Sequence, residues 1–531
     1  MDDRPRPPSV QNLRLAGIAL LASGLALALP ADLRPLWPAL VALFLVFATR
    51  AAALSLATAC LCALLLLAVH RPHDFLHWFH PEGGLWGTVK SPWHFGALIF
   101  TLLLGSFAAV VERSGGLLPL LRAEGEVNDG TRKRFLTSVF GLGLVCFFDG
   151  LANALMIGRV ARPVADRLRI PRAFLAYLVD TTSSAVACIA FLSTWIVTQL
   201  SLIASYSPLE QPAYLQFLAS IPRNFYCLFA LVLAFLALRR VWMIGPMGRR
   251  LPSEPEERDA IPMEDNGQLR RALVPLLILL LTIPAAILLL HAPDHPAPNF
   301  SSRVQDALNA STVPIAFIIG SALALLAALA CFPRDRFGEA PRAAALGARQ
   351  LLPALGLLLL AWILGSLFSA LGTATVLSDL LGDWLPLAAL PAGVFVLGCL
   401  ISFVSGTSWG TMGLLMPLVL PLAGAMAATQ GASPELLATI VPAVIGAVFG
   451  GAVFGDHCSP YSDTTIVSAL ASGVTTAEHT VTQLPYALLT AGTALLAGYL
   501  PIALGLSPWI GLFLGCSILA GLVFFIKPRR S

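Results

Sequence analysis

The sequence predicts an all-α polytopic membrane protein. Three observations carry that prediction: too little charge for a water-facing surface, apolar stretches of bilayer length from end to end, and an alternation of basic and non-basic loops. Of 531 residues, 57% are hydrophobic and only 12% charged, and the mean hydropathy is +0.81. Soluble domains carry roughly 25% charged residues. Runs close to the ~20 residues needed to cross a bilayer recur at 15–29, 51–69, 95–111, 221–238, 271–290, 312–331, 351–371 and 509–526.

The first run follows Arg4, Arg6 and Arg14 and ends in Leu-Ala-Leu-Pro-Ala, which loosely imitates a signal-peptide cleavage site. A retained first span fits the loop charges better. The nine cysteines lie mostly in apolar segments without a C-x-x-C pair, so neither a disulfide framework nor a zinc ribbon is indicated. The net charge of +4 is spread over short loops, which excludes a nucleic-acid surface and leaves membrane lipid as the large partner. A homodimer stays open.

Lys and Arg mark cytoplasmic loops. They concentrate at the N-terminus and in 113–134, 159–172, 239–271, 334–349 and 527–530, and are scarce in 201–219, 291–310, 372–384 and 425–435. Two apolar stretches, 135–158 and 385–424, therefore have both flanks on one side. Each reads as a re-entrant hairpin, the first opening from the cytoplasm and the second from outside. Parity then closes with about 12 spans and both termini cytoplasmic. This is the pattern of an inverted-repeat secondary transporter with broken helices, whose binding site lies where interrupted backbone meets at the repeat interface. The expected organisation is 1–93 for N-terminal spans and an external His-rich loop, 94–238 for repeat one, 239–350 for linking spans, 351–504 for repeat two, and 505–531 for a last span.

Ionisable residues inside apolar segments are functional candidates by default. They are few: Asp149 in FFDGLAN, Asp180 in YLVDTTSSAVACIAFLSTW, and Asp456 and Asp463 in FGDHCSPYSDTTIVSALASG. The second hairpin tip, FVSGTSWGTMGLLMP, carries hydroxyls instead. FFDG against FVSG sets Asp149 opposite Ser405, and the two Asp-Thr-Thr triplets set Asp180 opposite Asp463. An alternative register pairs Asp180 with Asp456. A carboxylate at bilayer depth can have its pKa raised by up to ~3–5 units, so it must hold a proton or a cation, and that competition is exchange. Pro460, Gly455, Gly406 and Gly410 are expected to break helices and free carbonyls for a small hard cation. The blander reading makes Asp149 or Asp180 a helix cap. His457 reads equally as a proton relay or a carbonyl partner, and Trp409 as packing or a gate. His70, His73, His77 and His80 share one face of a potential helix. An interfacial segment with Phe75, Trp78 and Phe79 at the headgroups fits them better than a metal site.

At the carboxylate motifs the chain resembles the NhaC-type sodium/proton antiporter family. GDHCSPYSDTT followed by HTVTQLPYAL, SGTSWGTMGLLMPL, and FFDGLANALMIGRVARPVADRLRIPRAFLAYLVD running on to STW carry the likeness, over about 96–200 and 351–489. The resemblance implies electrogenic or electroneutral Na⁺/H⁺ exchange, with Li⁺ as a further cation, at a bacterial inner membrane. No cofactor is expected; Na⁺ and H⁺ enter as transported ions. Motif and resemblance together single out Asp149, Asn153, Asp180, Thr181, Ser183, Ser405, Thr407, Ser408, Asp456, Ser459, Asp463 and Thr464, with Asp456 and Asp463 as the Na⁺ ligands. The chain departs from the family at Gly150, where a second acid is common, and at Ala185, where a proline is common.

Two other classes compete. A carrier of small organic acids or amino acids would use the hydroxyl-rich hairpin and half-helix N-termini. An intramembrane aspartyl protease would need Gly-x-Gly-Asp, and Val453, Phe454 and Gly455 before Asp456 break that motif. The loop pattern is directly testable. Single cysteines at Arg122, Arg132, Arg162 and Arg167, in a cysteine-free background, should all resist an impermeant external thiol reagent. Labelling of either loop from outside would overturn the first hairpin.

Overall fold

The computed structural model describes residues 10–25, 30–80, 83–116, 119, 127–190, 192–249, 268–291, 299–310, 312–381 and 384–525. Among them every regular element is helical. Arg122 and Lys527–Arg530 of the basic loops, and most of 239–271, lie outside these residues. Among the described residues twelve helices are long and apolar enough to cross a membrane. They include both arms of the second hairpin, Leu387–Ser405 and Ser408–Thr429, but neither arm of the first, Asp129–Val145 and Gly150–Arg167. The first hairpin's arms carry Arg132, Lys133, Arg134, Arg159, Arg162 and Arg167, which lowers their hydropathy. Twelve is thus a number of apolar helices and not of crossings.

Side chains tie each hairpin together at its open end. Arg132 Nε donates to the Leu168 carbonyl at 2.8 Å, joining the start of the first hairpin to its finish. In the second, Gln430 donates to the Leu385 carbonyl at 2.9 Å and accepts from Leu387 N at 2.8 Å. Just past the first hairpin, Arg172 closes the turn to the next helix with a two-pronged, largely buried pairing to Asp166 at 2.8 and 2.9 Å.

After each hairpin comes a broken span: Arg172–Ala187 then Thr194–Tyr206, and Pro434–Cys458 then Asp463–Ser472. The halves exchange partners. Asp463–Ser472 packs on Gly150–Arg167, while Thr194–Tyr206 packs on Ser408–Thr429. The two helices that precede the hairpins, Pro92–Arg113 and Ala340–Leu371, pack on each other, and a Cβ on Gly347 would overlap the Gly105 carbonyl. Lipid offers no hydrophobic drive for helices to associate, so small residues that permit close approach hold such crossings.

Several expectations need correction. Of the four expected breakers, Gly455 and Gly410 lie inside regular helices. Their hydrogens face Ser402 in the first case, and Ala52 and Thr407 in the second, so these glycines serve close packing. The breaks fall at Gly406 and at 459–462, which contains Pro460. Helix starts also reset the repeat register. Asp149 caps the second arm of its hairpin and Thr407 caps the second arm of the other, so Asp149 stands opposite Thr407 and not Ser405. Asp180 and Asp456 both precede the break in their span, whereas Asp463 follows it, which favours the alternative register. The histidine face is interrupted, because helices Ala52–His70 and Pro72–Phe79 meet at Arg71 with φ −137°. Trp78 is buried and donates to Ser366 at 3.1 Å, so it packs inward and not at headgroups.

Gly406 has φ +65° and an added Cβ would run into Tyr461 of the neighbouring break. Gly406→Ala combines the left-handed penalty of roughly 1–2 kcal/mol with overpacking of typically ~1–3 kcal/mol. It should lower the thermal midpoint of the detergent-solubilised protein by several degrees. An unchanged midpoint would show that this tip is not under the constraint described.

Candidate functional site

Breaking a helix at membrane depth leaves backbone N–H groups without partners, and side chains must supply them. Asp149 does this for Gly150–Arg167: Oδ1 accepts from Ala152 N at 2.9 Å. Its other oxygen accepts from the Thr194 hydroxyl at 3.1 Å. Thr194 opens the second half of the neighbouring broken span, which Ser193 caps through Ile196 N at 3.1 Å. The capping reading therefore holds for Asp149. It fails for Asp180, which lies in the middle of Arg172–Ala187. Asp149 also lines a small cavity with Glu112, Gln350, Gly105 and Gly347, where Glu112 is a carboxylate that sequence reasoning passed over.

Asn153, one turn into the same helix, ties three helices together. Its amide donates to the Gly143 and Thr182 carbonyls at 2.9 and 3.3 Å, while its buried Oδ1 has no partner.

Asp456 and Asp463 flank the second break and lie within electrostatic reach of each other. Asp456 is 1% exposed. Its Oδ1 accepts from the Ser462 hydroxyl at 2.9 Å, and its buried Oδ2 has no partner. The buried Ser408 hydroxyl, which has no closer partner, faces the same carboxylate. The Asp456 carbonyl accepts from the Thr465 hydroxyl and, at 3.5 Å, from that of Thr464, which also meets Ser462 at 3.0 Å. Asp463 differs: its side chain is exposed although it begins a helix deep in the fold, and its Oδ1 accepts from Thr464 N at 2.9 Å. It also senses Asp149. Thr407 caps Ser408–Thr429 through Gly410 N at 3.1 Å. Ser405 and Ser459 serve turns, accepting from Thr407 N and Tyr461 N, both at 3.4 Å.

Asp180 belongs to a second group, fully buried. It accepts from Ser468 Oγ at 3.1 Å and from Gln483 Nε2 at 2.9 Å, and His479 Nε2 stands 3.4 Å away. Thr181 keeps a buried unpartnered hydroxyl, whereas Ser183 donates to the Asp180 carbonyl at 2.9 Å. His457 meets Ser184 Oγ at 3.0 Å and Tyr226 OH at 2.9 Å, one through each ring nitrogen. His479 and Gln483 fall in the HTVTQLP segment, but the single polar residues of an ordinary-looking helix gave no sign of their target. Trp409 meets Trp195 edge-on at 6.1 Å, joining the first turns of Ser408–Thr429 and Thr194–Tyr206. In the histidine loop His73 approaches Asp74 at 3.6 Å. Among the described residues no cluster of three metal-binding side chains occurs.

Residues 175–500 match the Na⁺/H⁺ antiporter family, a stretch that holds Asp180, the second hairpin, Asp456, Asp463, His479 and Gln483. An uncharacterised protein of Haemophilus influenzae is 30% identical over 506 residues, covering 93% of this chain and 95% of that protein. The crystal structure of the Alcanivorax borkumensis YdaH transporter superposes with a TM-score of 0.54 at 16% identity, over 90% of this chain and 99% of that one; this is a likeness of fold. A matched family region of that length, carrying the carboxylates and both helix ends at the second break, makes the chain a membrane transporter that belongs to the Na⁺/H⁺ antiporter family.

Proposed function

We propose that this transporter exchanges Na⁺, with Li⁺ as a substitute, for protons across a bacterial inner membrane, with both termini cytoplasmic. Asp456 and Asp463 are the cation pair. The observation that carries the reading is the buried Oδ2 of Asp456, faced by the Ser408 hydroxyl without a well-formed hydrogen bond, beside the exposed Asp463. A buried carboxylate oxygen without a donor is costly, and a small cation or a proton is what relieves it. Ser408, Ser462 and Thr464 add neutral oxygens around the pair, and Asp149 lies at the far side of Asp463. The reciprocal packing of hairpin arms and half-spans supports an inverted repeat, in which one half rocks against the other around the site.

The test is ion-dependent dissipation of a preset pH gradient in proteoliposomes. Na⁺ and Li⁺ should collapse the gradient while K⁺ and small organic acids do not. Collapse by an organic acid alone would replace this reading with that of an organic-acid carrier. Asp463→Asn keeps volume but removes charge, so Na⁺-dependent proton movement should fall at least about tenfold while folded protein remains. A wild-type rate in that variant would remove Asp463 from the site.

Gly150 supplies a second test. A Cβ there meets only ordinary contacts, the nearest 3.5 Å from the Ser183 carbonyl oxygen, and the backbone is not left-handed. Space therefore exists for the second acid that related sequences carry. Gly150→Asp sets two carboxylates side by side, which then share protons, so proton competition strengthens and the pH optimum for exchange moves upward. Gly150→Asn should leave the optimum in place. Equal losses in both variants without a shift would make the residue purely structural.

A further inference from the structure

We propose that Asp180 and His479 hold the transported proton between them, at a site separate from the Asp456–Asp463 cation pair. The inference rests on the exchange reading for its counter-ion; the contacts of Asp180 and His479 are made without Asp456 or Asp463, although Asp180 lies within electrostatic reach of Asp456. His479, on Thr476–Thr493, is 0% exposed, and neither ring nitrogen has a hydrogen-bond partner. Its Nε2 lies 3.4 Å from Asp180 Oδ2. Asp180, equally sealed, receives only two neutral donors, Ser468 and Gln483. An ionised Asp180 there lacks a permanent counter-charge and the His479 ring lacks any hydrogen bond, both fully buried.

One proton answers both deficits. Placed on Nε2 it makes an imidazolium–carboxylate pair; placed on Oδ2 it makes a carboxylic acid donating to a neutral ring. The two forms are one protonation state of the pair, neutral overall. The other titratable groups within electrostatic reach of the pair are Tyr226 from Phe225–Arg240 and Asp456, His457 and Cys458 from Pro434–Cys458. No permanent cation is among them. His457, the relay suggested by sequence, has both nitrogens engaged by hydroxyls; His479 has the vacancy.

The separation gives coupling a physical route. The ten-residue helix Asp463–Ser472 begins on a cation ligand and carries Ser468, which bonds Asp180. A shift of this helix when Asp463 takes or releases a cation changes the donors around Asp180, and hence the hold on the proton.

Reconstituted Asp180→Asn and His479→Gln variants should each lose Na⁺-driven proton movement at least about tenfold yet keep isotopic Na⁺/Na⁺ counterflow, which moves no proton. Asp463→Asn should lose both. The double variant Asp180→Asn/His479→Gln replaces the pair with neutral amides and serves where a single variant fails to reach the membrane. Wild-type proton movement in the variants, or loss of counterflow in step with Asp463→Asn, overturns the assignment. If the wild type moves no Na⁺ at all, the exchange reading falls, and the pair is judged by indicator titration of purified protein in K⁺ buffer. Across the pH range in which both proteins stay folded, the wild type must then take up one proton more than the double variant; equal uptake overturns the pair.

Discussion

Lipid cannot hydrogen-bond a peptide group, and the site follows from that constraint. Four helices begin at breaks inside the fold, and each needs partners for its first N–H groups. Asp149, Ser193 and Thr407 cap three of them with side-chain oxygens. At the fourth, Asp463 accepts from the backbone of Thr464. The polar residues that satisfy the backbone are thus gathered at the breaks. Capping and binding compete for the same oxygens: Asp149 has both committed, one to Ala152 and one to Thr194. Asp456 has one to spare.

The reciprocal packing turns these local repairs into one unit. Asp149 reaches across to Thr194, Ser468 reaches across to Asp180, and Trp195 meets Trp409. Each contact joins a half-span to an element outside its own span, so a shift of one half-span changes the polar contacts of its neighbour. Two discrete arrangements of such a unit are what alternating access requires.

Apolar length, basic loops and four lone aspartates were legible in the sequence because each is a strong local departure from a lipid-compatible background. The membrane class and the neighbourhood of the site followed from them. Repeat register was not legible. FFDG and FVSG look alike, but the first hairpin inserts Phe147 and Phe148 between the end of one arm and the capping residue of the next, which displaces the match. Glycine roles were equally hidden, since a glycine that breaks a helix and one that lets another backbone approach are the same letter. His479 and Gln483 sit on a helix whose composition is unremarkable for a transporter, and only tertiary packing aims them at Asp180.

Hydroxyl abundance needs the same separation of roles. Ser402 bonds the Gly451 carbonyl at 2.7 Å and accepts from Gly455 N at 3.1 Å, cementing the second hairpin to the broken span where small residues already bring the helices close. Ser183, Ser184 and Thr182 return their hydroxyls to carbonyls of their own helix, a local bond that hides a polar group from lipid. These hydroxyls are structural cement. Thr181 and Ser408 keep hydroxyls that make no such local bond. Thr101, Ser472 and Thr480 do the same, so an unmet hydroxyl points to a binding position only where a carboxylate stands beside it, as Asp456 stands beside Ser408.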